Sequence, residues 1–456
     1  MFNSIFNFAR AAVLGAVLGA VCLPAAAADA DPAQMDRLQK KLDESIQMIQ
    51  ALATRVKELE ATQARAQVAS AAPPPATAPT AAAAVSPTPA QDEQRLSAVE
   101  QQVTQIEAAN ASRHGDDTGL PIHGFADVGV GNYNPYFANL KGGNIGSLDL
   151  YLTPQIGHQV LALAELIFEV GPSGEVGTDL ERFQLGYQFS DAATVWIGRF
   201  HTPYGYVNTA LHHGVWLADA LRRPKFANFE DHGGILPSHT VGAWLTGAQR
   251  EGPGKFLYDF YVGNGQQLQN GIVDMQSGGN DHGAAMAGSR LSYAWTGGAI
   301  DGLTVGINGF TDKVDSQQTL NLTRVDMMGA YAVYDTDMWE HIIEAYSFHD
   351  TNLYGDLGSH NSNAWFGQFA YRAGWGVPYV RYERADLDQR DTYFAEQQFG
   401  ASYYRSALGV RFDINSKSAI KFEVASTHTT DYRQQDISYG LPEDYKEILA
   451  QYAIRF

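Results

Sequence analysis

The stretch Ile448-Leu449-Ala450-Gln451-Tyr452-Ala453-Ile454-Arg455-Phe456 closes the chain. Ile448, Ala450, Tyr452, Ile454 and Phe456 fall at every second position, with Gln451 and Arg455 between them. Successive side chains of a strand point to opposite faces, so this spacing gives a strand with one apolar and one polar face. The same period recurs upstream. Phe183, Leu185, Tyr187 and Phe189 alternate with Arg182, Gln184, Gly186 and Gln188. Phe256, Tyr258, Phe260 and Val262 alternate with Leu257, Asp259 and Tyr261. Val380 and Tyr382 alternate with Tyr379, Arg381 and Glu383; Leu408, Val410 and Phe412 with Gly409, Arg411 and Asp413; Ile420, Phe422 and Val424 with Lys421 and Glu423. Turn residues bound the runs, as in Asp413-Ile414-Asn415-Ser416-Lys417-Ser418. Periodicity alone leaves two architectures open: a sandwich with apolar faces inside, or a barrel with apolar faces outside.

Composition narrows the choice. The 456 residues carry 31 Lys and Arg against 50 Asp and Glu, a formal net charge of −19. That balance argues against a nucleic-acid partner, which needs a basic face. At 11% aromatic and 18% charged, with 45 glycines, the chain is too apolar for disorder. The one cysteine, Cys22, excludes a disulfide scaffold and any Cys-ligated zinc or iron–sulfur site. Mean hydropathy is −0.24. Past the first thirty residues, no apolar run approaches the ~20 residues of a membrane helix. A membrane protein of this composition is a β-barrel.

Residues 1–28 read as a secretory signal peptide. Arg10 supplies the positive region, Ala11 to Leu23 the apolar one, and Ala26-Ala27-Ala28 the small residues before cleavage. Gly19-Ala20-Val21 does not suit lipoprotein processing at Cys22. In 29–67, Met35, Leu38, Leu42, Ser45, Ile49, Leu52, Val56 and Leu59 alternate at spacings of three and four, a coiled-coil seam. An Ala/Pro-rich linker, 68–91, contains Pro73-Pro74-Pro75. A second short coil, 92–110, carries Leu96, Val99, Val103 and Ile106. Coils this short are marginal alone and point to an oligomeric body.

Three features favour the barrel over the sandwich for 121–456: export, aromatics among the apolar-face residues, and the terminal strand. Its Phe456, with Ile454 and Tyr452 behind it, resembles the signal by which bacterial outer-membrane barrels are recognised by the barrel-assembly machinery. At roughly 20 residues per strand with its share of loop, the segment gives about 16 strands, with 14 or 18 as neighbouring solutions. The expected fold class is therefore an all-β transmembrane antiparallel barrel, wide enough for an aqueous channel, preceded by a short helical coiled coil.

Gly198-Arg199-Phe200-His201-Thr202-Pro203-Tyr204-Gly205 is similar to a strand ending of the phosphate-selective porin O/P superfamily. The following stretch, from Leu211-His212-His213-Gly214 through Arg222-Arg223-Pro224 to Phe229-Glu230-Asp231-His232-Gly233-Gly234-Ile235-Leu236-Pro237, resembles the long loop which that family folds into its barrel. The N-terminal coil resembles a periplasmic device of some sugar and dicarboxylate porins. The resemblance implies a trimeric, 16-stranded outer-membrane porin in contact with lipid. The phosphate-specific members rely on Lys and Arg ladders. From Gly115 onward this chain holds 22 Lys and Arg against 39 Asp and Glu, so the family name does not set the solute.

The site expectations follow. His212, His213, Arg222, Arg223, Lys225, Glu230, Asp231 and His232 are the candidate constriction loop, where mixed charges would act on a permeating solute. Strand parity nominates Glu165, Glu169, Arg381, Glu383, Arg411, Asp413, Lys421, Glu423 and Arg455 as lumen-facing charges. His212 and His213 with His232 and His239 could suggest a metal site, but no His-Glu-x-x-His or comparable ligand spacing occurs, nor a nucleophile elbow, so no metal, cofactor or catalytic site is expected. The expected function is passive diffusion of small polar solutes or ions with weak ion selectivity. The alternative is a barrel scaffold around a partner protein such as an electron-transfer cytochrome. An adhesin with an external coil is a third, weaker reading.

Overall fold

The structure, a computed structural model, describes residues 122–456 apart from 133–141, 155, 157–158, 171–175, 191, 213–215, 230–232, 274–282, 284, 317–320, 355–357 and 439. The signal segment, both coils and their linker lie outside the described residues, as do His213, Glu230, Asp231 and His232.

Sixteen strands form the wall: β1 (Ile122–Gly131), β2 (Gly142–Leu152), β3 (Val160–Val170), β4 (Val176–Ser190), β5 (Ala193–His201), β6 (His239–Glu251), β7 (Gly254–Asn264), β8 (Ala285–Trp295), β9 (Leu303–Ser316), β10 (Leu322–Asp335), β11 (Trp339–Tyr354), β12 (Gly358–Tyr371), β13 (Val377–Asp386), β14 (Tyr403–Asn415), β15 (Ser418–Thr429) and β16 (Asp444–Arg455). Each pairs antiparallel with its sequence neighbour, and β7 pairs directly with β8. β1 pairs with both β2 and β16, which closes the ring. A small hairpin, Gln267–Gln269 with Ile272–Val273, sits against β9. Among the described residues the helices are single turns in loops: α1 (Val207–Ala210), a 3-10 turn (Lys225–Ala227), α2 (Thr392–Ala395) and α3 (Gln434–Ser438). No helix of the described residues is long and apolar enough to cross a membrane.

The two faces settle which way the alternation points. Phe183, Leu185, Tyr187, Phe189, Phe260, Val262, Val380, Leu408, Phe422 and Val424 are exposed large apolar side chains. Gln184, Asp259, Glu340, Glu344, Arg381, Glu383, Arg405, Arg411, Lys421 and Glu423 are buried. β11 shows the period plainly: Glu340, Ile342, Glu344, Tyr346, Phe348 and Asp350 are buried while Ile343 is exposed. The apolar face therefore looks out and the charged face in. A soluble sandwich would reverse this; a transmembrane barrel requires it.

Both ends of the barrel sequence lie at the end of short turns, such as 252–253 and 416–417. The opposite end carries the loops, of which L3 (202–238) is the longest. Aromatic pairs ring the turn end: Tyr187 and Phe189 with centroids 4.8 Å apart, Tyr293 and Trp295 4.7 Å, Trp339 and Tyr371 4.6 Å. The Tyr258 hydroxyl donates to the Ala192 carbonyl of the adjacent turn, and Tyr293 to that of Glu251. Rings that are apolar at one end and hydrogen-bonded at the other suit a boundary between hydrocarbon and water.

Candidate functional site

L3 begins where the Gly198–Gly205 motif ends, and the motif's last glycine has a steric reason. Gly205 has φ +54°, and a Cβ there would lie 2.2 Å from Tyr346 Oη and 2.7 Å from Glu344 Oε2. The close approach lets Glu344 accept from the backbone N–H groups of Tyr206 (2.6 Å) and Val207 (2.8 Å), while Tyr346 donates to its other oxygen at 2.5 Å. From the neighbouring wall, Arg290 donates to the Gly205 carbonyl (2.8 Å) and Thr209 Oγ1 (2.7 Å), and pairs with Asp259 at 2.8 Å. The loop's first turn is thus fixed to β8 and β11, three and six strands along the wall from the β5 strand it leaves.

Its second half is held by β13, β14 and β15. The backbone N–H of Leu221 donates to Tyr379 Oη (3.0 Å), that of Lys225 to Glu383 Oε2 (2.6 Å) and that of Phe226 to Tyr403 Oη (3.0 Å). In the other direction, Arg381 donates to the Arg222 carbonyl, Arg411 to those of Trp216 and Ala218, and Lys421 to those of Ala218 and Ala220. Phe226, Ile235 and Leu236 of the loop join one apolar cluster with Phe200, Tyr346, Phe348, Phe366 and Tyr403. Tyr393 of α2 donates to the Ile235 carbonyl at 2.6 Å.

These contacts redefine the nominated charges. Arg381, Glu383, Lys421 and Glu423 face inward, each at most 3% exposed. They bind the loop and one another, not the open lumen. Arg405 lies among them, with Glu447 2.7 Å, Glu423 3.1 Å and Glu383 3.5 Å from its guanidinium. Arg381 stands 3.4 Å from Glu383, and Arg411 pairs with Asp413 (2.9 Å) and lies 3.7 Å from Asp219 of the loop. Arg381, Arg405, Arg411 and Lys421 oppose Glu383, Glu423, Glu447 and Asp219, so the cluster is balanced in charge. Asp413 and Arg455 are exposed near the turn end, and Glu169 is half-buried. Glu165 is buried, accepting from Arg182.

Of the described constriction candidates, Arg223 is an internal brace. It donates to the carbonyls of Ala227 (2.8 Å) and His212 (3.1 Å) and to Asn208 Oδ1 (3.1 Å), and it lies 4.6 Å from the Phe229 ring centre. His212 is buried against His201 and His239. Arg222 is partly exposed. Lys225 is buried with its ammonium 4.1 Å from the Tyr403 ring centre. Burial pushes its pKa down to about 8, opposed by Glu383. A base whose folded pKa lies below its unfolded value costs stability while it is protonated in the fold, and that cost fades as pH climbs from about 8 to about 10.5. The thermal midpoint of the wild type should therefore gain on that of Lys225→Met over this range. A constant difference between the two would show that Lys225 does not titrate there.

Glu344, Arg290, Tyr379, Tyr403, Arg405 and Glu447 escaped the sequence reading. Parity alone marks Arg405 (in step with Arg411) and Glu344 as inward, but nothing local marks them as loop anchors.

No protein-family model matches the chain, and no curated protein matches it. Among solved structures it is similar to an anion-selective porin from Comamonas acidovorans, with TM-score 0.50 and 15% identity over 74% of this chain and 98% of that one. It is also similar to the outer membrane channel DcaP of Acinetobacter baumannii, with TM-score 0.48 and 10% identity over 74% and 97%. Salmonella typhi OmpF, in complex with daunomycin, gives TM-score 0.49 and 12% identity over 74% and 97%. The Comamonas likeness is one of fold, and together with the closed ring and its inverted faces it makes this chain a transmembrane β-barrel of the porin fold.

Proposed function

We propose that the protein is an outer-membrane porin, a water-filled channel for passive diffusion of small polar solutes or ions. The observation that carries this is the fold's inversion: an apolar exterior around a charged interior that the chain's own L3 narrows. A ring of 16 strands is wide enough for water, and an inward loop sets its limiting width. L3 occupying the interior argues against the scaffold reading, and a passive channel needs no catalytic group. In this reading the loops face outward, the turns and the coil of 29–67 face the periplasm, and three copies associate. The finer placement with the phosphate-selective porin O/P superfamily rests on the Gly198–Gly205 motif and the loop behind it. Planar-bilayer recording tests the reading: open steps in threes are expected, and a protein that inserts without conducting would overturn it.

The Comamonas protein is described as anion-selective. Here the balanced buried cluster supports weak selectivity instead. Arg222 is the partly exposed cation of the proposed constriction. Arg222→Glu should move the reversal potential toward cations in a salt gradient, because a charge at the narrowing acts within the ~8–10 Å screening length. An unmoved potential would place Arg222 away from the ion path.

Removing residues 29–110 should leave single-channel conductance nearly unchanged while loosening the trimer to heat. A marked change in conductance would put the coil in the permeation path.

A further inference from the structure

The chain holds no metal-ligand spacing, yet the fold gathers three histidines. His201 ends β5, His239 begins β6, and the two are direct cross-strand partners at the neck of L3. His212, just after α1, folds back onto them. The His201 and His212 rings stack with centroids 3.6 Å apart, and the His212 and His239 centroids are 4.7 Å apart. All three are at most 5% exposed. One ring nitrogen from each lies within 4.8 Å of the others.

We propose that His201, His212 and His239 bind a divalent transition-metal ion of the zinc class, which locks the two legs of L3 to its first turn. Zinc–nitrogen bonds of about 2.0–2.1 Å put tetrahedral ligands roughly 3.4 Å apart, so the site closes when the His212 ring turns out of its stack on His201 and the nitrogens draw together. Imidazole without thiolate suits Zn²⁺, Ni²⁺, Cu²⁺ and Co²⁺ rather than Mg²⁺ or Ca²⁺. One contact outside the cluster has the form that orients a metal-binding histidine. His212 Nδ1 is 2.9 Å from the Asn208 carbonyl and 3.1 Å from its Oδ1, which points Nε2 at the site. His239 Nε2 lies 2.7 Å from Glu181 Oε2, and His201 Nε2 3.6 Å from Glu165 Oε2. The two carboxylates beside the cluster offset the charge of the ion. This proposal concerns the loop and stands independently of what the channel passes.

The test uses the tag-free exported protein in detergent, stripped with a chelator and titrated with Co²⁺ and then Zn²⁺. One Co²⁺ per chain is expected, with the intense visible bands of a four- or five-coordinate nitrogen site, displaced by Zn²⁺. His212→Ala should weaken binding at least 100-fold, and Zn²⁺ should raise heat resistance in the wild type but not in this variant. His212 lies in the loop, so the wall remains; heat-modifiable mobility confirms that it folds. His239→Gln, which removes a ligand but keeps a polar side chain, gives the second reading. Absence of Co²⁺ binding in the wild type, or equal stoichiometry and affinity in both variants, would overturn the proposal.

Discussion

Deleting Phe456 is expected to reduce folded protein in the outer membrane severalfold and leave chain in the periplasm. The residue does more than end β16. Its N–H donates to the Gly124 carbonyl at 3.0 Å, and Gly124 N–H donates back to its carbonyl at 3.1 Å, which makes the final rung that joins β16 to β1. Its ring fills the space above Gly124, where a Cβ would lie 2.5 Å from it. Without this rung the seam opens at its turn end and exposes backbone groups in a medium that cannot hydrogen-bond them. Phe456→Trp should retain most of the folded protein, since it keeps the rung and an aromatic ring. Normal folded levels after deletion, measured in separated membrane and periplasmic fractions, would remove both the seam argument and the assembly-signal argument.

Arg405→Leu is expected to destabilise the folded barrel by about 3–5 kcal/mol, the scale for removing one member of a buried ion cluster. Glu383, Glu423 and Glu447 surround this guanidinium, and each is at most 3% exposed. Glu383 also accepts from the Lys225 backbone and from Tyr403 at 3.0 Å, so its repulsion from the others reaches L3. Arg405→Lys should recover only part of the loss, because one ammonium cannot address three carboxylates in the geometry of a guanidinium. Glu447→Gln placed on Arg405→Leu should restore some stability by removing one uncompensated charge. Denaturant midpoints of the detergent-folded protein measure all three. A midpoint unchanged in Arg405→Leu would mean that this guanidinium is not what holds the cluster together.

The wall was legible because strand alternation is a local property. Five short runs and the terminal nonapeptide announced the period, and 336 residues at an ordinary strand allotment gave sixteen. What the period could not convey is which inward charges water reaches. Arg381, Glu383, Lys421 and Glu423 read as pore lining, yet the first three meet loop residues some 160 to 200 positions away, as Lys225 meets Glu383 at a separation of 158 and Ala218 meets Lys421 at 203, while Glu423 meets Tyr379 and Arg405 of the wall. Arg223 read as a constriction charge for the same reason; its partners lie within the loop's own fold. Among the histidines, His212 and His239 could be noticed together, but His201 could not, because its pairing with His239 is set by where β5 and β6 stop, which boundary-insensitive periodicity does not fix.

The loop's anchors also impose an order in time. Its first tie, to Arg290, spans 85 positions, the next, to Glu344, 138, and the last, to Lys421, 203. Closing such long chain segments carries an entropic cost that is recovered only when the receiving strands are already in place. L3 is made early and seated late. Until β13–β15 arrive, the growing wall has an empty interior and a loop without its docking surface. Full seating of L3 therefore waits for the last third of the wall, which makes the loop's docking a late event of folding.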